Sequence, residues 1–233
     1  MVQVRQRPRT VASMDVEDTL HASRSGRRRQ ELVDVAANIF AEKGYHATSV
    51  QDIAESLGIL KGSIYYYIDS KEDLLYEIVD SRLKNMESVL RRLRSSRLDP
   101  LAKLRGFICD IVAHVHADPV KSAVVLRDLS ALTGERLERA TAALERQDRF
   151  LRRQVSAGQK AGLICPDAEP ALTSRGILGM VTWTYRGLGQ QARFGAERTG
   201  EAFADIVLAG LRCDRKEHTQ GHRRALGALP VSW

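Results

Sequence analysis

The stretch TSVQDIAESLGILKGSIYYYIDSKEDLL, residues 48–75, decides how this chain is read. Val50, Ile53, Ala54 and Leu57 recur at the i, i+3, i+4, i+7 spacing that lays one apolar stripe along a helix. Ser49 precedes them with Asp52 three residues on, a capping-box pattern that starts the helix there. Gly58 then supplies the left-handed residue that a sharp turn needs. A second helix, about Lys61 to Tyr67, is too short to be a core element in its own right. It carries Lys61, Gly62, Ser63, Tyr65, Tyr66 and Tyr67, with Lys71 just beyond. Two short helices across a glycine turn, the second loaded with donors and rings, spell a helix-turn-helix suited to a nucleic-acid groove.

Composition agrees but does not decide. At 233 residues, 43% hydrophobic and 28% charged, the chain can bury a sizeable core. Three widely spaced cysteines, with no CxxC or Cys/His cluster, point to a reducing compartment, no disulfide framework and no structural zinc. No apolar run approaches the roughly 18 residues that span a bilayer, and the basic N-terminus lacks the apolar core of a signal peptide. A cytoplasmic protein without membrane partners is expected. The net charge of +7 is unevenly placed: residues 1–29 hold seven arginines against three acids, whereas residues 30–75 hold three lysines against eight acids, a net −5. The DNA-reading unit therefore relies on a few placed groups and the arginine-rich arm, not on a broad basic field.

Upstream, Leu32, Val35, Ala36, Ile39 and Phe40 keep helical spacing from about Arg27 to Lys43, with Gly44 where a C-terminal cap belongs. Downstream, a long helix runs from Lys71 to about Arg97, where Asp99-Pro100 breaks it. Further helices follow at about 101–117, 120–132, 134–161, 171–190 and 198–212, set off by Pro119, Gly162, Pro166 and Pro170. No strand-like alternation occurs. The expected fold is all-α, about nine helices, partitioned as a flexible basic arm (1–25), a helix-turn-helix domain (26–72), a ligand-binding and dimerisation domain (73–212) and a flexible tail (213–233).

The run AANIFAEKGYHATSVQDIAESLGILKGSIYYYIDSKEDLLYEIV resembles the N-terminal domain of TetR-type transcriptional regulators over about fifty residues. The resemblance implies base contacts from Lys61, Gly62 and Ser63, and base or backbone contact from Tyr65. It implies phosphate contacts from Tyr66, Lys71 and the hydroxyls of Thr48 and Ser49. Hydroxyls and an ammonium give charge-assisted bonds to phosphate, and glycine lets the backbone approach closely. Two departures stand out: Leu60 replaces the usual Ser or Thr cap of the recognition helix, and Tyr66, Tyr67, Ile68 replace a Y-x-H-F phrase.

The resemblance also implies a two-fold dimer seam from the last two helices, for which Gly176, Gly179, Val181, Leu188, Phe203, Ile206, Val207 and Leu211 are the candidates. A single short reader touches few bases, so two of them on a pseudo-palindromic operator fit the chemistry. For a small-molecule effector the candidates are Phe107, Ile111, His114, Leu126, Leu129, Phe150, Trp183 and Tyr185, with Arg175 and Arg186 for an anionic group. The phrases RDLSAL and WTYR resemble regulators that respond to acyl-CoA thioesters, whose pyrophosphate could meet Arg146, Arg149, Arg152 or Arg153. Gly187-Leu-Gly189-Gln-Gln-Ala192 matches a dinucleotide pattern but follows no strand. His114 and His116, two apart on a helix, face different ways and make a poor metal pair. No cofactor, metal or enzymatic activity is expected. The reading is a homodimeric repressor released by an effector. Its rivals are a ligand-independent or activating regulator, and an enzyme or carrier with a vestigial DNA-binding head.

Overall fold

The computed structural model describes the backbone of residues 11–187 and 194–212, and side chains of residues 26–185 and 194–212. Among these residues every regular element is a helix, in the order α1 (Val11–Lys43), α2 (Val50–Ser56), α3 (Lys61–Ile64), α4 (Lys71–Ser95), α5 (Pro100–Ala117), α6 (Pro119–Asp128), α7 (Gly134–Lys160), α8 (Pro170–Trp183) and α9 (Ala196–Leu211). Short 3-10 turns occupy Leu129–Ala131 and Thr184–Gly187. The chain divides into two compact units, Met1–Ile78 and Val79–Trp233, with the boundary inside α4.

In the first unit, α1 is longer than its apolar spacing suggests. It begins at Val11 and not near Arg27, and no proline interrupts the span from Val11 to Lys43. Leu32, Val33, Ala36, Ala37 and Phe40 form its buried face. Gly44 closes α1 at φ +89° and Gly58 turns the chain after α2 at φ +64°, both in the left-handed region. The capping box is formed in both directions: Ser49 Oγ accepts from the Asp52 N–H at 3.1 Å, and Asp52 Oδ2 accepts from the Ser49 N–H at 2.7 Å.

α3 is shorter than the expected span to Tyr67. It ends at Ile64, and Tyr65–Tyr67 form a turn. Leu60 at its N-cap position makes no side-chain hydrogen bond, so no cap offsets the cost of nucleating so short a helix. What holds α3 is tertiary: Ile53, Ala54, Ile64, Ile68, Leu74 and Leu75 are buried around it. Burial of each large aliphatic side chain contributes about 1.5–3 kcal/mol.

The second unit is organised around α5, which packs against α7, α8 and α9. Asp99 and Asp118 cap α5 and α6 by accepting from the N–H groups of Ala102 and Lys121, each with proline next in the chain. The core joins Met86, Val89, Leu90 and Leu93 of α4 to Leu104, Phe107, Ile108 and Val112 of α5, Phe150, Leu151 and Val155 of α7, and Ile177 and Val181 of α8. Phe107 and Phe150 meet with ring centroids 5.7 Å apart. α9 comes closest to α5 at Gly200, where an added Cβ would sit 3.1 Å from the Cys109 Cα. α8 ends at Trp183, earlier than the expected residue 190, and residues 188–193 lie outside the described set. Cys109, half-buried on α5, is a free thiol.

Candidate nucleic-acid interface

The exposed surface of the first unit gathers where the sequence places its reader. Lys61, Gly62 and Ser63 are exposed along α3 while Ile64 turns inward, so one short helix offers one ammonium, one hydroxyl and one bare backbone face outward. Tyr66 is 83% exposed, Tyr65 48%, and the N-terminal neighbour Leu60 81%. Tyr67 is half-buried, packed edge-on against Tyr66, and its carbonyl accepts from the Arg29 guanidinium. Three consecutive tyrosines thus divide into two outward rings and one that anchors.

Two of the proposed phosphate donors sit differently. Thr48 is 1% exposed and its hydroxyl donates to the Gly44 carbonyl at 2.8 Å, so it closes the α1–α2 turn and offers nothing to a ligand in this conformation. The Lys71 ammonium donates to the carbonyls of Tyr45 and Thr48 at 2.7 and 2.6 Å and lies 4.2 Å from the Tyr45 ring centroid. Ser49 is exposed, but its hydroxyl is engaged in the capping box.

Charge is spent locally in the same way. Lys43 pairs with Asp52 at 3.1 Å, Arg28 with Glu31, and Arg29 with Glu77. Among the described basic residues of this unit, Arg27 and Lys61 are the exposed ones that enter no ion pair. The Asp52 carboxyl is held below the usual carboxylate range by the Ser49 hydroxyl, then by the Ser49 N–H and Lys43. Burial lowers the Lys71 ammonium from its ordinary value, while the Asp52 charge opposes that shift. Arg29 was not legible as part of this site: in the run Arg27-Arg28-Arg29 it reads as arm, yet it ties α1 to Tyr67 and Glu77.

In the second unit the seam candidates separate by face. Gly176, Gly179 and Ile206 are exposed, Phe203 and Val207 half-buried, while Val181 and Leu211 point into the core. Val181 and Leu211 are therefore core residues, since their helices turn the opposite face outward. Leu188 lies outside the described residues. The outward stripe of α8 is Leu172, Gly176, Gly179 and Trp183, and that of α9 includes Ala202 and Ile206. Leu172 was missed because alone it reads as core.

The effector candidates differ in burial. Phe107, Ile111 and Phe150 are core, His114, Leu129 and Tyr185 half-buried, and Leu126, Arg175 and Trp183 exposed; the Arg186 side chain lies outside the described residues. The His114 and His116 rings each bond the carbonyl four residues earlier. Of the α7 arginines, Arg146 pairs with Glu87, Arg149 with Glu145 and Arg152 with Asp148. An open cleft of about 360 Å³ is lined by Phe194, Arg198, Thr199, Ala202 and Phe203. Among the described residues no His, Cys, Asp and Glu group could hold a metal ion, and no helix is long and apolar enough to cross a membrane.

An exposed reading helix set behind a glycine turn, on a small helical unit followed by a larger one, defines a helix-turn-helix transcriptional regulator. Residues 32–78 match the signature of "Bacterial regulatory proteins, tetR family", and residues 97–211 match "Tetracyclin repressor-like, C-terminal domain". The chain belongs to the TetR family of DNA-binding transcriptional regulators. It is 30% identical over 187 residues to the HTH-type transcriptional repressor KstR2 of Rhodococcus jostii, covering 79% of this chain and 91% of that protein. The structure of the ketosteroid transcriptional regulator KstR2 of Mycobacterium tuberculosis superposes with a TM-score of 0.76 at 26% identity, covering 80% of this chain and 96% of that one. AibR, solved with isovaleryl coenzyme A and operator DNA, gives 0.69 at 26% identity over 77% of this chain and 97% of that one. These relatives are transcriptional regulators, not enzymes.

Proposed function

We propose that the protein is a cytoplasmic homodimeric repressor that binds a pseudo-palindromic operator and is released by a small-molecule effector, an acyl-CoA thioester. The observation that carries the reading is the exposed ridge of Lys61, Gly62, Ser63, Tyr65 and Tyr66 on α3 and the turn after it. Ammonium and hydroxyl groups on a short, groove-sized helix can bond base edges, and the outward tyrosines can reach phosphates and sugars.

Dimerisation is supported by the apolar faces of α8 and α9. Leu172, Trp183 and Ile206 are each more than 60% exposed, and a Cβ added at Gly176 or Gly179 would meet nothing within 4 Å of its own chain. Large apolar side chains beside small residues on one face suit close helix packing with a second copy. Repression is supported by the KstR2 relatives, and a thioester effector by AibR, whose structure holds isovaleryl coenzyme A beside operator DNA. The pairing of Arg146, Arg149 and Arg152 directs the search for a pyrophosphate partner to Arg153 and Arg175. Release requires only that the effector bind more tightly to the state with low operator affinity.

The test is a polarisation titration of the purified protein against DNA from its own upstream region, with and without a panel of acyl-CoA thioesters. Tight binding that one thioester reverses at micromolar levels is the expected result. Tight binding that no thioester changes removes the effector class and leaves the DNA regulator. Absence of binding at low salt removes the operator assignment.

A further inference from the structure

We propose that Lys71 is a positioning residue of the DNA-reading unit: its ammonium sets the turn between α1 and α2, and so where α2 begins, and does not neutralise a phosphate. The inference rests on the DNA-binding reading of this unit. Lys71 is the first residue of α4, yet its side chain reaches back to the far end of the helix-turn-helix. Two of its three N–H bonds go to the carbonyls of Tyr45 and Thr48, and the Tyr45 ring lies against it 4.2 Å away. That ring is itself fixed, edge-on to Phe40 with centroids 5.2 Å apart.

The carbonyls belong to residues that are only 9% and 1% exposed, so water is a poor replacement donor. The same turn is closed from within by the Thr48 hydroxyl on the Gly44 carbonyl and by the Thr48 N–H on the Tyr45 carbonyl at 3.3 Å. Ser49, the cap of α2, is the next residue. An ammonium that holds Thr48 therefore holds the starting point of α2, and through it the helix against which α3 packs. Partial burial of the ammonium, which lowers its proton affinity, agrees with a group turned toward protein.

A positioning role and a phosphate contact leave different traces in binding. Loss of a phosphate contact weakens cognate and random DNA alike and flattens the salt dependence by about 0.9 in log K against log salt per site. Loss of positioning weakens cognate DNA and leaves random DNA and the salt slope unchanged. Lys71→Arg separates the two further, because it keeps the charge but cannot place a planar fork between two carbonyls that a compact ammonium fits.

The experiment selects a binding site from random DNA with the full wild-type chain. Cognate affinity, random-DNA affinity and salt slope are then measured for wild type, Lys71→Gln and Lys71→Arg, well below each melting temperature. The expected result is a cognate loss of about tenfold or more in both variants, with random-DNA affinity and slope unchanged. Lys71→Arg binding like wild type while Lys71→Gln shows a shallower slope would overturn the proposal in favour of a phosphate contact. Unchanged cognate affinity in both variants, with only a lower melting temperature, would reduce Lys71 to a stabilising tie and overturn it too. Should Lys71→Gln not fold, Lys71→Arg decides alone. If wild type selects no sequence, the DNA reading falls and this inference with it, a result distinct from the others.

Discussion

At the scale of single residues, the unit distinguishes side chains that look outward from those that hold it in place. Lys61 is exposed and enters no ion pair among the described residues, so its ammonium is available to a base edge. Lys61→Ala should relax preference at one position of each half-site by about 1–3 kcal/mol, read from a selected-site profile. Asp52 gives a pH signature. Its folded proton affinity is depressed by the Ser49 hydroxyl, the Ser49 N–H and Lys43. The stabilisation is therefore fully present above the unfolded value of 3.8 and is lost as pH falls below it. Thermal melts taken from about pH 6 to pH 3 should show a steeper acid limb in wild type than in Asp52→Asn, which cannot protonate. The capping pair and both turn glycines were legible because each is a local event. Thr48 and Lys71 were not: a hydroxyl and an ammonium near a reading helix suggest phosphate, and only the fold shows both directed at carbonyls.

At the scale of elements, boundaries set by prolines and glycines could be read from the sequence to within one or two residues, as at Pro100, Pro119 and Pro170. Those set by packing could not. α3 stops at Ile64, whose carbonyl accepts from the N–H groups of both Tyr67 and Ile68 at 2.8 and 3.2 Å, and the turn that follows returns Ile68 to the buried side beside Ile64. Leu60 already has the extended backbone of an N-cap, φ −71° and ψ 141°, and lacks only an acceptor. Leu60→Ser should raise the stability of the first unit by about 1 kcal/mol, measured by chemical denaturation. The α5–α9 contact makes the opposite prediction. A Cβ at Gly200 faces the Cys109 backbone, which cannot step aside as a side-chain tip would. Gly200→Val should destabilise the second unit by about 1–3 kcal/mol, seen as a lower denaturation midpoint.

For the whole molecule, the all-α class and the helix-turn-helix were legible because fifty consecutive residues carry them, while the faces of α8 and α9 needed coordinates. Apolar residues recur on both sides of these helices, and periodicity alone does not tell core from seam: Val181 and Leu211 went inward, Leu172 and Trp183 outward. Gly179→Arg tests the seam, since nothing in its own chain lies within 4 Å of the added Cβ. The variant should melt like wild type yet sediment as a monomer and lose operator affinity; an unchanged dimer would place the seam elsewhere. The local use of charge has a further consequence for life on a chromosome. Most of the described basic groups of the acidic first unit are spent inside it, leaving Arg27 and Lys61 to meet unrelated sequence. Nonspecific hold scales with the phosphates neutralised, and a genome offers roughly a million or more competing sites. Outside the arginine-rich arm, a surface so sparing of free cations adds little to nonspecific hold, and random-DNA affinity measured against salt should fall with a shallow slope once that arm is removed.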